Sequence, residues 1–188
     1  ARLNLFVDNE IAYTQLDGET YKDALANKLR IRNFVTGSVF FLEFNHREGR
    51  VTDNLNLRRA LAAAFDPEEL VNRVLQQPGN LPGKSLFPTW LQGVEGKFRD
   101  EYPATERTPN IEQAKAYLEA AKAERGVDQI PPLALLVSDS PTATKQAEYF
   151  QGLYKSKLGI DIRIDVQTFK QRLAKMTAGD FDIVGAGW

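Results

Sequence analysis

The last part of the chain constrains the fold most, because it changes from a strand pattern to a helix pattern and back. Residues 160–166 alternate apolar and charged side chains, which is typical of a half-buried strand. A helical spacing that includes Phe169 follows, Gly179 ends this helix, and residues 181–186 indicate a second strand. Two strands joined by one helix predict a parallel βαβ unit with a right-handed crossover. Trp188 then stands at a carboxyl end, where open α/β sheets bind ligands. On its position alone, Trp188 fits a core residue and a binding-site wall equally well.

The preceding segments extend this pattern into a mixed α/β sheet. Residues 133–137 form a continuous apolar run, which predicts a strand buried on both faces. Residues 142–158 carry apolar side chains at helical spacing, and an earlier helix is predicted from its cap at Asn110 to Gly126. Strands and helices that alternate in this way favour a sheet with parallel strands at its centre.

The first part of the chain gives a more varied pattern. Helices are predicted over residues 1–6 and 19–27, and strands over 11–16, 29–35 and 39–44. The run 39–44 is apolar on both faces, which predicts a central position in the sheet.

The middle of the chain combines two helices with a long loop. One helix is predicted to begin near Asn54, and Asp66-Pro67 to start another. Residues 77–108 carry many prolines and glycines together with several large apolar side chains. We expect a packed loop there rather than a disordered one.

Composition restricts the class of protein. The chain has 188 residues, 43% hydrophobic and 26% charged, with a formal net charge of -1, as in a globular domain with one core. Without a basic excess, nucleic acid and anionic membranes are poor candidate partners. The absence of cysteine excludes disulfide scaffolds and thiolate metal sites. No apolar run approaches the roughly 20 residues of a membrane helix, so we expect no membrane insertion by this segment. The chain starts at Ala1 and ends on a strand, and we expect it to be a piece of a longer protein.

The residue pattern predicts no catalytic residue, no metal site and no cofactor. His46 is the only histidine, and nothing near it has the spacing of a catalytic triad or a metal site. Asp161 and Asp165 lie on the polar face of a predicted strand, which favours solvated charge over a paired acid and base.

Ser140 lies where a buried strand passes into a helix, and two roles remain open for it. Backbone N–H groups at this turn could hold a ligand carboxylate. Asp139 would oppose an anion there, which favours helix capping by Ser140 or Thr142.

Four motifs resemble one protein family. Residues 54–70 resemble the "N-x-x-V-R-x-A-L-x-x-A-I-D-R-E-x-I" segment of the family 5 extracellular solute-binding proteins, the oligopeptide- and dipeptide-binding components of ABC importers. Residues 110–118 are similar to the family's "DPEKAKALL" helix, and residues 135–140 to its "L-x-x-x-x-S" segment. Residues 179–188 resemble its "G-D-F-D…GW" ending.

This resemblance implies a fold and a function. The fold is one lobe of a two-lobed, periplasmic-binding-protein-like (type II) protein, with a mixed sheet flanked by helices. Residues 1–188 would form a single C-terminal ligand-binding lobe. The expected function is capture of a peptide or other small solute in the cleft between lobes, for import through a membrane permease. We expect a monomer located in the periplasm or outside the cell, tethered or free, and a lipoprotein anchor is compatible with this.

The resemblance also implies site residues. Trp188 matches a tryptophan that lines the family's cleft, and Phe169 matches an aromatic residue that forms a side-chain pocket. Leu173 follows one turn later, and Gly187 and Ser140 complete the predicted ligand-binding set. Some oligopeptide binders carry an arginine shortly before the Gly-Trp pair, used for the carboxyl end of the ligand. This chain has Gly185 there, which leaves the class and length of the peptide open.

Other functions remain as alternatives. The same family includes binders of nickel, opines, sugars and haem, and its shared helices do not encode the ligand. A sensor or interaction module that reuses the fold without transport is a hypothesis from another class. An enzyme is disfavoured, because no nucleophile–base pair or metal cluster is present in the pattern.

Overall fold

A computed structural model describes residues 2–34, 36–105 and 108–188. Its helices are α1 (Arg2–Val7), α2 (Gly18–Ala26), α3 (Leu55–Ala64), α4 (Pro67–Glu69), α5 (Phe98–Glu101), α6 (Ile111–Arg125), α7 (Pro141–Leu158) and α8 (Phe169–Ala178). Its strands are β1 (Phe40–Phe44), β2 (Leu133–Ser138), β3 (Ile162–Gln167) and β4 (Ile183–Gly187). A short 3-10 turn covers Val51–Asp53, and α4 continues into a π-helical segment over Leu70–Leu75.

The four strands form one mixed sheet in the order β1-β4-β2-β3. Strand β2 pairs in parallel with both β3 and β4, whereas β1 pairs antiparallel with β4. The predicted mixed α/β fold is therefore confirmed. The unit β3-α8-β4 has parallel strands as predicted, and β2 lies between them.

Two strand predictions for the first part of the chain are wrong, and so is the predicted position of a third strand. Residues 11–16 and 29–34 form no strand, and Tyr13 and Phe34 are exposed; Val35 lies outside the described residues. Alternation cannot make a strand where no neighbouring strand supplies hydrogen bonds. The segment 39–44 does contain β1, but β1 is an edge strand rather than a central one. Leu42 and Phe44 pack against the core whereas Phe40 is exposed, so an apolar run does not specify which strands lie beside it.

Local sequence signals explain where the helices begin and end. The side chains of Asn54 and Asn110 accept hydrogen bonds from backbone N–H groups in the first turns of α3 and α6, at 2.8 and 2.9 Å. Gly126 ends α6 with a φ of 64°, a left-handed conformation that glycine adopts without steric cost. These predicted boundaries are confirmed.

The two faces of the sheet bury different clusters. Helices α3, α6 and α7 cover one face, where Leu57, Leu61, Leu135 and Tyr154 are among the fully buried residues. Helix α8 covers the other face, where Met176 packs against Leu136, Phe181 and Val184. Helices α7 and α8 directly follow β2 and β3 and cover opposite faces of the sheet. The two connections therefore leave the carboxyl ends of these strands in opposite directions.

A buried polar cluster joins the end of β1 to the turn between α8 and β4. The Asn45 side-chain amide donates to the carbonyls of Gly179 and Phe181, at 3.0 and 2.8 Å, and its oxygen accepts from the Arg47 N–H at 3.1 Å. The Thr52 hydroxyl lies within hydrogen-bond distance of the carbonyls of Asn45 and Asp182, at 2.8 and 3.0 Å. Buried polar groups need such partners, so this cluster specifies one arrangement of the junction.

The loop of residues 77–105 packs on itself rather than into the core. None of its described residues is buried, and the ring of Phe98 lies 4.8 Å from that of Phe87 and 5.1 Å from that of Tyr102. The Glu101 carboxylate accepts hydrogen bonds from the N–H groups of residues 94, 95 and 96, at 3.0, 2.9 and 2.7 Å. These bonds hold the pKa of Glu101 below its ordinary value.

Candidate functional site

The predicted site residues lie along one edge of the sheet, which we name the carboxyl edge. It consists of residues 39–40, 138–140, 167–169 and 187–188. Ser138 pairs with Gln167 at the ends of β2 and β3, and Phe40 pairs with Gly187 at the end of β4. The antiparallel direction of β1 places its first residue beside the last residues of β4.

Trp188 is fixed through its backbone and free at its side chain. Its N–H and carbonyl both bond to Val39, each at 2.9 Å. Trp188 is 93% exposed in this structure. A Cβ added at Gly187 would lie 2.8 Å from Cδ1 of the Phe40 ring, and this close approach favours glycine.

Helix α8 presents two further apolar side chains at this edge. Thr168 caps the helix, and its hydroxyl donates to Gln171 Oε1 at 2.6 Å. Phe169 is 63% exposed and Leu173 is 44% exposed. Residues four apart share one face of a helix, so the structure brings these two side chains together.

Arg172 is a feature of this edge that the sequence interpretation missed. Its Nη1 donates to the carbonyl of Gly185 at 2.6 Å, and its guanidinium carbon lies 5.7 Å from the centre of the Phe169 ring. The sequence shows only that position 172 follows Phe169 by three and so neighbours it on the helix surface; the contact with Gly185 depends on the strand register.

Ion pairs hold α8 onto the sheet. Lys175 Nζ lies 2.6 Å from the Asp165 carboxylate on β3 and 3.1 Å from that of Asp180. Burial alone would raise the pKa of Asp165, but hydrogen bonds from Lys175 and Gln167 hold it below its ordinary value. Asp165 is therefore part of a structural ion pair. The prediction that its charge is solvated is wrong, because Lys175 and the sheet partly cover the carboxylate. Asp161 remains exposed and pairs with Lys155 at 2.7 Å.

Ser140 acts as the N-cap of α7. Its hydroxyl accepts a hydrogen bond from the Ala143 N–H at 3.2 Å, which confirms the capping interpretation for this residue. The backbone of Asp139 donates to the Gln167 carbonyl at 3.0 Å and ties the two turns together. A contact between Ser140 and a ligand stays a prediction.

The opposite end of β1 and β4 carries a cavity of about 390 Å³. His46 and Arg47 line it beside Asn45 of the buried polar cluster. Within the described ranges, no group of three or more histidine, cysteine, aspartate or glutamate side chains could hold a metal ion. No helix in these ranges is both long and apolar enough to cross a membrane.

The structure is a mixed α/β unit whose exposed aromatic residues gather at the carboxyl ends of its parallel strands. Comparison with known proteins gives the family. The whole chain, residues 1–188, matches the bacterial extracellular solute-binding proteins, family 5, in the part described as "Middle". The chain belongs to this family. Its homologues are solute-binding proteins rather than enzymes, and family members are periplasmic or extracellular.

Individual relatives are similar over most of this chain. The oligopeptide-binding protein OppA of Bacillus subtilis is 27% identical over 157 residues, which cover 80% of this chain and 27% of OppA. The substrate-binding domain of an oligopeptide ABC transporter from Bacillus anthracis superposes with a TM-score of 0.87 at 30% identity, covering 98% of this chain and 36% of that one. Listeria monocytogenes OppA bound to peptide superposes with a TM-score of 0.84 at 26% identity, covering 99% of this chain and 37% of that one. The chain thus spans about a third of the length of these relatives.

Proposed function

We propose that the protein containing this chain binds peptides in a cleft between two lobes and delivers them to the permease of an ABC importer. The carboxyl edge forms one wall of that cleft. The observation that carries this proposal is the exposure of Phe169, Leu173 and Trp188 along one edge of a rigid sheet. The similarity to oligopeptide-binding proteins supports the choice of peptide as the ligand.

The edge offers the two kinds of contact that a peptide needs. Exposed apolar side chains gather where they can cover ligand side chains and exclude water from them. Polar turns at residues 138–140 and 167–168 lie beside them and supply hydrogen-bonding groups for an extended backbone. Closure of a second lobe over this surface would bury the ligand and create a closed form for the permease.

The remaining parts of the proposal concern the whole protein. Residues 1–188 form one lobe, the C-terminal one, of a larger monomeric protein. This protein works in the periplasm or outside the cell, either tethered or free. Its partners are a small solute and a membrane permease.

Simultaneous replacement of Phe169 and Trp188 by alanine is expected to weaken peptide binding at least tenfold, because interface aromatic residues of this kind commonly contribute roughly 2 kcal/mol each. The measurement is isothermal titration calorimetry on the full-length protein with a panel of short synthetic peptides. Tyr117→Ala is the control, since it removes an aromatic ring from α6 in the helical layer. Unchanged affinity in the double variant would remove these residues from the site.

The 188-residue chain alone is expected to unfold cooperatively but to bind peptides weakly or not at all, because the second wall of the cleft is missing. Urea denaturation followed by circular dichroism tests the first part, and calorimetry with the same peptides tests the second. Micromolar or tighter binding by the chain alone would show that one lobe suffices, and the cleft proposal would then be wrong.

A further inference from the structure

The long loop of residues 77–105 meets the segment before β1 at one close contact. The ring of Trp90 lies against the backbone of Gly37, and a Cβ added at Gly37 would collide with Cζ2 of this ring and lie 3.3 Å from its Cε2. Gly37 does not have a positive φ, so its backbone conformation does not require glycine. The space that Trp90 occupies therefore explains why position 37 carries no side chain.

Gly37 lies two residues before the backbone contact that fixes Trp188. The N–H and carbonyl of Val39 both bond to Trp188, each at 2.9 Å. On its other side, β4 pairs with β2 only at Ile183 and Val184 among the described residues, which leaves a gap beyond them. The end of β4 therefore has one neighbouring strand, formed by β1 and the residues just before it. The position of Val39 sets the position of the Trp188 backbone.

Within the described ranges, backbone pairing does not place the segment that leads into β1. The backbone of the described residues in 30–38 forms no hydrogen bond with another backbone group, and no strand lies there. Phe34 is exposed, as are residues 36–38. A stretch with so few backbone bonds and so little burial moves easily, so a single packed aromatic ring can decide where it enters the sheet.

The loop that carries Trp90 is held together by its own contacts. The Phe98 N–H donates to the Leu91 carbonyl at 2.8 Å, directly after Trp90, and Glu101 closes the turn at residues 94–96. Trp90 is 46% exposed, so about half of this residue is covered. Its ring is thus presented by a loop of defined shape, which can support the segment that it touches.

We propose that Trp90 is a positioning residue of the ligand site. It holds residues 36–38 against the long loop and so keeps Val39 in place, and Val39 keeps the backbone of Trp188 where the ligand meets it. This inference rests on the proposed function, since it concerns the same wall of the cleft. The loop takes part in peptide binding through this contact, without touching the peptide at Trp90.

Hydrogen exchange measured by mass spectrometry on the full-length protein follows this route directly. In Trp90→Ala, the N–H groups of Val39 and Trp188 are expected to exchange roughly fivefold or more faster, because the ring that holds the segment is gone. Trp90→Phe keeps an aromatic ring and is expected to restore most of the protection. A residue that only anchored the loop would change exchange in residues 86–98 and leave Val39 and Trp188 unaffected.

Peptide affinity is expected to follow the same order. Calorimetry with the panel of short synthetic peptides should show roughly fivefold or more weaker binding for Trp90→Ala, with most of the affinity retained in Trp90→Phe. Leu81→Ala is the control, since it shortens an exposed side chain of the same loop. This variant should leave both the affinity and the exchange unchanged.

A double-mutant cycle tests whether the effect passes through Gly37. Gly37→Ala adds a Cβ where the ring lies and is expected to weaken peptide binding by a similar factor. When position 90 already carries alanine, that space is open, so Gly37→Ala should cause no further loss. Additive losses would mean that the two positions act independently, and the proposed route would be wrong.

The outcomes separate this inference from the proposed function. If peptides bind the unmodified protein and Trp90→Ala changes neither their affinity nor the exchange at Val39 and Trp188, the positioning role is overturned and peptide binding stands. A change in only one of the two measurements would also overturn it, because the role requires that exchange and affinity change together. If no peptide of the panel binds the unmodified protein, the proposed function and this inference fail together.

Discussion

Replacement of Leu61 by alanine is expected to lower the free energy of unfolding by about 3 kcal/mol. Leu61 lies on α3, is fully buried, and belongs to the cluster that joins this helix to α6, α7 and the sheet. Alanine removes three carbon atoms from the side chain and leaves a cavity that the rigid sheet beneath cannot close. The measurement is urea denaturation of the 188-residue chain, followed by circular dichroism.

Leu55→Ala is the matched control for this prediction. Leu55 begins the same helix, and its side chain is 49% exposed, so the same substitution should change stability by less than about 1 kcal/mol. Equal losses from the two variants would mean that α3 is not packed on the sheet as the structure has it.

Replacement of Asn45 by alanine is expected to cost a similar amount, about 3 kcal/mol, for a different reason. The variant leaves the carbonyls of Gly179 and Phe181 and the N–H of Arg47 without the partners that the Asn45 side chain supplies. A buried polar group without a partner costs about 1–3 kcal/mol. Hydrogen exchange measured by mass spectrometry should show the loss of protection first at the turn between α8 and β4.

Asn80→Ala is the control for the polar cluster. Asn80 is exposed in the long loop, and its backbone N–H donates to the Gln77 carbonyl, a bond that alanine keeps. This variant should leave stability within about 0.5 kcal/mol of the unmodified chain. If Asn80→Ala destabilised the whole chain, or if Asn45→Ala did not, the buried polar cluster would not be what joins the end of β1 to the turn before β4.

Elements with complete local signals could be predicted from sequence. From residue 110 onward, each helix has a capping side chain before it and a glycine after it, as at Asn110 and Gly126. The continuous apolar run at 133–137 predicts a buried strand, and β2 lies there. In such segments, capping, periodicity and turn residues agree, so local sequence determines the element.

The arrangement of strands could not be predicted in the same way. The run 39–44 looked central because its side chains are apolar on both faces, yet its position depends on whether another strand lies beyond it, and none of the described residues provides one. The strand predictions for residues 11–16 and 29–34 are wrong for the same reason. Strand pairing depends on residues that are distant in the sequence, and the alternation within one segment does not reveal them.

The candidate site was predicted in part. The motif comparison selected Phe169, Leu173 and Trp188, and the structure places all three at the carboxyl edge, although their contact with a ligand stays a proposal. Arg172 was not selected because its hydrogen bond to the Gly185 carbonyl forms where β2 and β4 are no longer paired. A gap between strands is visible only once the register is known.

The turn held by Glu101 has a consequence for sequence variation. Because the carboxylate bonds to backbone N–H groups, the turn does not depend on which side chains occupy positions 94 to 96. Proline is the exception, since it has no N–H to donate. Gly93 is also restricted, because a Cβ there would collide with the Glu101 carboxylate. Homologues, or a randomised library, should therefore diversify freely at this tip while keeping the glycine before it and the glutamate after it, so that one loop shape can display many different surfaces.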